Sequence, residues 1–122
     1  MNALVKDPQI TWIDVGADTD IPRRGARRLK GPQGEIAIFR TGDGQVFALM
    51  DACPHKGGPL SQGIVHDASV TCPLHNMVFS LESGIAAGPD EGRVRVFAVR
   101  VDPPTGAIEL SLDEPALVLA AE

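Results

Sequence analysis

DACPHKGGPLSQG, residues 51–63, and CPLH, residues 72–75, decide how this chain is read. The first stretch is too rich in Gly and Pro to continue a strand or a helix, and the second is a short irregular turn. Together they hold both cysteines and two of the three histidines, as Cys53-x-His55, sixteen residues, then Cys72-x-x-His75. Each turn supplies one thiolate and one imidazole. A structural zinc site commonly draws a Cys-x-x-Cys pair from one segment and a His pair from another. A mixed pair from each of two turns instead suits a binuclear iron–sulfur cluster, with two thiolates on one iron and two imidazoles on the other. Cys53, His55, Cys72 and His75 are therefore the candidate ligands of one [2Fe–2S] cluster. Zinc in the same four ligands, and plain loop residues, are the competing readings.

The neighbours of these residues fit a cluster. Backbone N–H groups aimed at cluster sulfurs tune a potential, and they need a closely wrapped chain. Gly57, Gly58 and Gly63 permit that wrapping, and Pro54 and Pro73 stiffen the turns. A third loop, GPDEG at residues 88–92, offers Pro89 either as a cover that keeps water off the cluster or as a plain turn residue. His66 has no cysteine beside it and precedes Asp67, so it is expected to be an exposed loop residue and not a ligand.

Outward from the two turns the pattern is that of strands. Residues 10–15, 25–30, 35–40 and 45–50 read as strands, with turns at 31–34 and 41–44. In the second turn Asp43-Gly44 tolerates positive φ, which suits a hairpin. Ile36, Ile38, Val46 and Leu49 mix alternation with apolar runs, as half-buried strands do. Residues 69–71 and 77–81 flank the second turn as strands. Residues 93–101 alternate Arg93 and Arg95 with Val94 and Val96, and residues 107–112 complete the set. This is an all-β sandwich or open barrel.

The chain has 122 residues, which suits one domain and one modest core but not a deep substrate cavity as well. The expected division is a tail over residues 1–9, a domain over 10–112 with its cluster-binding part at about 51–92, and a tail over 113–122. Eleven Lys and Arg against sixteen Asp and Glu give a net charge of −5. That balance argues against a nucleic-acid partner, whose phosphates demand a basic face. The densest basic stretch, Arg23, Arg24, Arg27, Arg28 and Lys30, is either a solvated strand edge or a docking patch for an acidic partner. The N-terminus lacks the apolar core of a secretory signal, and no segment approaches a membrane span. A cytoplasmic protein with no membrane partner is the expectation, and a reducing cytosol argues against a disulfide between the two cysteines.

CPHKGGPLSQGIVHDASVTCPLHNMVFSLESG at residues 53–84, followed by GPDEG, resembles the Rieske-type small subunit of the assimilatory NAD(P)H nitrite reductase. WIDVGADTDIPRRGARRL and GEIAIFRTGDGQVFAL are similar to the same family, so the resemblance covers about residues 10–112. It implies an antiparallel β sandwich with two cluster-binding loops and a covering Gly/Pro loop. It also implies a partner, a large subunit carrying FAD, a [4Fe–4S] cluster and sirohaem that reduces nitrite to ammonium with NADH or NADPH. Some members of that family lack the Cys and His ligands, but all four positions are filled here. The resemblance thus implies an electron-transfer subunit, not catalytic alone. A soluble Rieske ferredoxin serving an aromatic-ring dioxygenase, and a clusterless or zinc-bound interaction module, are the other two readings.

Two further expectations follow from the resemblance. Lys56, next to a ligand, is either an ordinary exposed lysine or a contact for the large subunit. High-potential Rieske proteins staple their loops with a second cysteine pair and donate hydrogen bonds from a Ser and a Tyr two and four residues after the second ligand histidine. This chain has no third cysteine, and those positions hold Met77 and Phe79, so a low potential is implied.

Overall fold

The structure, a computed structural model, describes residues 12–32, 34–53, 58–73, 77–87 and 92–112. Among them nine strands form: β1 (Trp12–Ala17), β2 (Gly25–Gly31), β3 (Gly34–Arg40), β4 (Val46–Met50), β5 (Ile64–His66), β6 (Ser69–Thr71), β7 (Val78–Ser80), β8 (Val96–Val101) and β9 (Ala107–Ser111). Six build one sheet in the order β1-β9-β8-β4-β3-β2, and three build a smaller one in the order β5-β6-β7. Every pairing is antiparallel. The all-β expectation is met, and short 3-10 turns at Asp18–Asp20 and Leu60–Gln62 add to it. No helix among the described residues is long and apolar enough to cross a membrane.

Turn chemistry sets the large sheet. The β3–β4 hairpin closes with Thr41 N–H donating to the Gln45 carbonyl at 2.8 Å, and Gly44 takes the positive φ, +91°, that its sequence promised. The hydroxyl of Thr41 donates to the Asp43 carboxylate in the same turn. That bond holds the Asp43 carboxyl below its ordinary value. β2 forms the sheet edge and carries Arg27, Arg28 and Lys30 exposed, although Arg28 also reaches the buried Asp51 carboxylate.

Two expectations need correction. β3 is buried along its centre, with Ile36, Ala37, Ile38 and Phe39 all at 2% exposure or less, where half-burial was expected. The reason is that both faces of the large sheet are covered. Ala37 and Phe39 join Leu49, Leu60, Val65, Val70 and Phe79 in a cluster between the two sheets. Ile36 and Ile38 join Ile21, Phe97, Ile108 and Leu110 in a second cluster, because the sheet curls its β9 end over its β3 end. The single expected core is therefore two, back to back.

The second correction is local. The strand expected over 93–101 starts at Val96, and the segment before it belongs to the smaller sheet's side. Val94 N–H donates to the Gly84 carbonyl at 2.8 Å, and Arg93 bridges Ile85. The chain changes sheets here, and Met50 N–H takes the Arg95 carbonyl at 2.9 Å.

Candidate metal centre

The smaller sheet and its turns position the two loops. Residues 51–63 leave β4 at Asp51 and return through the Leu60–Gln62 turn to β5. Residues 72–77 join β6 to β7. Both loops close by the same backbone device. Cys53 N–H donates to the Gly58 carbonyl at 2.8 Å, and Cys72 N–H donates to the Met77 carbonyl at 2.7 Å. Each cysteine thus bonds five residues ahead, and each closed ring contains one of the two candidate ligand histidines in sequence.

Both cysteines are buried, Cys53 at 1% and Cys72 at 0% exposure, and no disulfide joins them. They lie in one apolar cluster with Leu60, Val70, Met77 and Phe79. Two cysteines nineteen residues apart in sequence thereby share one buried apolar cluster. Two buried thiols, each in a loop closed by its own cysteine amide, are a donor set that fits the thiolate end of a binuclear cluster. His55, Lys56, His75 and Pro89 lie outside the described residues. The ends of the third loop are joined, since Ala86 N–H donates to the Gly92 carbonyl at 3.0 Å.

His66 is corrected. It is a β5 residue, half-buried, and its Nε2 lies 2.7 Å from Thr71 Oγ1 on the paired strand. The turn falls one residue later, at Asp67-Ala68, with Asp67 at φ +51°. Its position off the loops agrees with its not being a candidate ligand. Met77 and Phe79 are core residues at 7% and 0% exposure, as their apolar character implied.

One contribution to the loops went unseen in the sequence, and another was seen without its partner. Asp51 has a fully buried carboxylate that accepts Ser61 N–H at 2.7 Å, Ser61 Oγ–H at 2.7 Å and Arg28 Nε–H at 2.7 Å. It binds the two ends of the first loop to each other and to β2. An acid two residues before a cysteine has no one-dimensional mark of burial, so only the Arg28 that reaches it hints at the pairing. Gly63 was singled out for close wrapping, and the structure shows its partner: a Cβ there would stand 2.1 Å from the Thr71 carbonyl oxygen. The exit of the first loop lies directly on the residue before Cys72.

With this geometry in place, the comparisons are specific. The sequence profile of the Rieske [2Fe-2S] domain matches residues 11–98. The ferredoxin subunit of anthranilate 1,2-dioxygenase from Burkholderia cepacia is 38% identical over 92 residues, covering 74% of this chain and 83% of that protein. The iron–sulfur subunit assigned to a toluene-4-sulfonate monooxygenase system of Comamonas testosteroni is 36% identical over 84 residues. There the match covers 69% of this chain but spans only 24% of that longer protein. Among solved structures, a chain assigned as the NADH-dependent nitrite reductase small subunit of Mycobacterium tuberculosis superposes with a TM-score of 0.75 at 27% identity. That match covers 85% of this chain and 96% of the other. The chain belongs to the Rieske [2Fe-2S] family, an electron-transfer family whose domain carries one Rieske-type [2Fe–2S] cluster.

Proposed function

We propose that Cys53 and Cys72 hold one iron of the cluster and His55 and His75 the other, and that the chain is the electron-transfer small subunit of an NAD(P)H-dependent nitrite reductase. The observation that carries the ligand assignment is the pair of buried cysteines in two loops closed by the same amide device. A bound cluster of this type accepts and donates one electron at a time. The protein's part is to keep the sulfur ligands dry, to fix the loops, and to offer the loop end of the small sheet to a larger oxidoreductase.

The nitrite reductase reading is supported by the stretch from residue 53 to residue 92 and by the likeness to the Mycobacterium tuberculosis chain. A second reading, a ferredoxin feeding a ring-hydroxylating dioxygenase, is favoured by the 38% identity to the anthranilate 1,2-dioxygenase ferredoxin subunit. Both place the protein in the cytoplasm with a soluble partner.

Two experiments test this. Cys53→Ser, Cys72→Ser, His55→Ala and His75→Ala should each lose the cluster, whereas His66→Ala should keep it. Iron assay and the electron paramagnetic resonance spectrum of the reduced protein read the result, and an unchanged spectrum in any of the four refutes the assignment. For the partner, the chain is purified with a sirohaem-containing large subunit, and nitrite turnover is compared with wild-type and cluster-free protein. Turnover that ignores the chain, together with electron delivery to a dioxygenase, replaces the first reading with the second.

A further inference from the structure

The Asp51 carboxylate sits at 0% side-chain exposure, two residues before Cys53, and it is the floor of the first loop. Its bonds are unusually complete for a buried acid. Ser61 gives it both a backbone and a hydroxyl donor across ten residues of loop, and Arg28 gives it a guanidinium donor from β2. Its own N–H donates to the Glu35 carbonyl at 2.8 Å, which ties it to β3 as well. Arg28 is about half exposed and also stands 3.9 Å from the Glu35 carboxylate at the surface. A buried anion is tolerated only when paired and hydrogen-bonded. The sequence spends an Arg, a Ser and a strand edge to keep this one, although an apolar residue would fill the same space.

We infer that Asp51 is a positioning residue for the cluster, clamping the first loop shut through Ser61, and that the Asp51–Arg28 pair is a charge balance that helps set the reduction potential. The inference rests on Cys53 being a ligand. Reduction adds one negative charge to the cluster, so an unpaired anion beside Cys53 opposes it and an unpaired cation favours it. The Asp51 carboxylate has no side-chain exposure, so solvent screens its charge less than that of the half-exposed Arg28. The loop has no disulfide to brace it, and this hydrogen-bonded brace acts within the loop instead.

The test uses the full chain with its cluster and four variants: Asp51→Asn, Arg28→Gln, the two combined, and Ser61→Ala, with Cys53→Ser as control. The midpoint is measured by protein-film voltammetry, and iron release to a chelator is followed by absorbance. The midpoint should rise in Asp51→Asn, fall in Arg28→Gln, and return toward wild type in the combined variant. Ser61→Ala should release iron about tenfold faster, as expected for one lost hydrogen bond to a charged group, with its midpoint little changed. A loss of folding alone would not move two single variants in opposite directions. If Asp51→Asn does not accumulate, Arg28→Lys against Arg28→Gln decides, since lysine keeps the charge and should hold the midpoint near wild type. Shifts of the same sign, or none with the cluster intact, overturn the inference. Full iron in Cys53→Ser would instead remove the ligand assignment, and this inference with it.

Discussion

Met77 and Phe79 are expected to act on the potential through the polar atoms they lack. Both are packed in the cluster that contains Cys53 and Cys72. Neither carries a hydroxyl, so neither can donate to a cluster sulfur or to a thiolate. Fewer donors leave the reduced, more negative form less stabilised, which lowers the potential. We expect the midpoint to lie below about +100 mV, in the lower part of the Rieske span of roughly −150 to +300 mV. Protein-film voltammetry checks this directly. Met77→Ser combined with Phe79→Tyr should raise the midpoint, and a double variant with an intact cluster and an unmoved potential would show that these positions are not where donors act. Phe79 is fully buried, so the tyrosine hydroxyl must find the sulfur side or lose stability.

At the scale of elements, the two loops are coupled through one glycine. Gly63 ends the 3-10 turn of the first loop with an extended φ of −83°, so any residue could adopt its backbone. What excludes a side chain is space, since the Thr71 carbonyl oxygen would lie 2.1 Å from a Cβ. Thr71 is the last residue of β6 and immediately precedes Cys72. Gly63→Ala must therefore push β5 away from β6 or tilt the entry to the second loop. The expected cost is about 1–3 kcal/mol, as for overpacking elsewhere, read as a lower thermal midpoint of the cluster-loaded protein. Iron loss to a chelator should quicken in the same variant. A Gly63→Ala protein with wild-type stability and wild-type iron retention would mean that the two loops are not coupled here. The hairpin turn of Asp43 is a separate device. Its carboxyl is held below the ordinary value chiefly by the Thr41 hydroxyl bond, so its support for the hairpin is present above the unfolded value and fades as pH falls through the folded one.

Over the whole molecule, the two apolar clusters have different dependence on the cofactor. The cluster between the sheets includes both cysteines, whereas the one enclosed by the curl of the large sheet contains Ile21, Ile36, Ile38, Ala48, Phe97, Ile108 and Leu110 and no cysteine. A ligand that binds only the folded form stabilises whatever it touches. Removing iron should therefore cost β5, β6 and β7 their protection first, while β1, β8 and β9 keep theirs. Hydrogen exchange on cluster-loaded and cluster-free protein measures this. Equal loss in every strand would show instead that the two cores unfold as one unit.

How much of this was legible in the chain follows from the range of the forces involved. Thr41 to Gly44 could be read as a hairpin because positive φ at an Asp-Gly turn is a local matter of backbone sterics. Cys53, His55, Cys72 and His75 could be singled out because spacing and residue type alone restrict which metal site they suit. Strand positions were readable to within a few residues where apolar residues repeat. The burial of β3 on both faces was not, because it depends on β9 curling over from seventy residues later in the sequence. The β5 strand and the true place of His66 were missed because three residues carry too little periodicity to outweigh a neighbouring Asp. Asp51 was silent for the strongest reason. A carboxylate reads as surface in any linear account, and only the fold brings Ser61 and Arg28 to it, supplying the donors and the countercharge that make its burial tolerable.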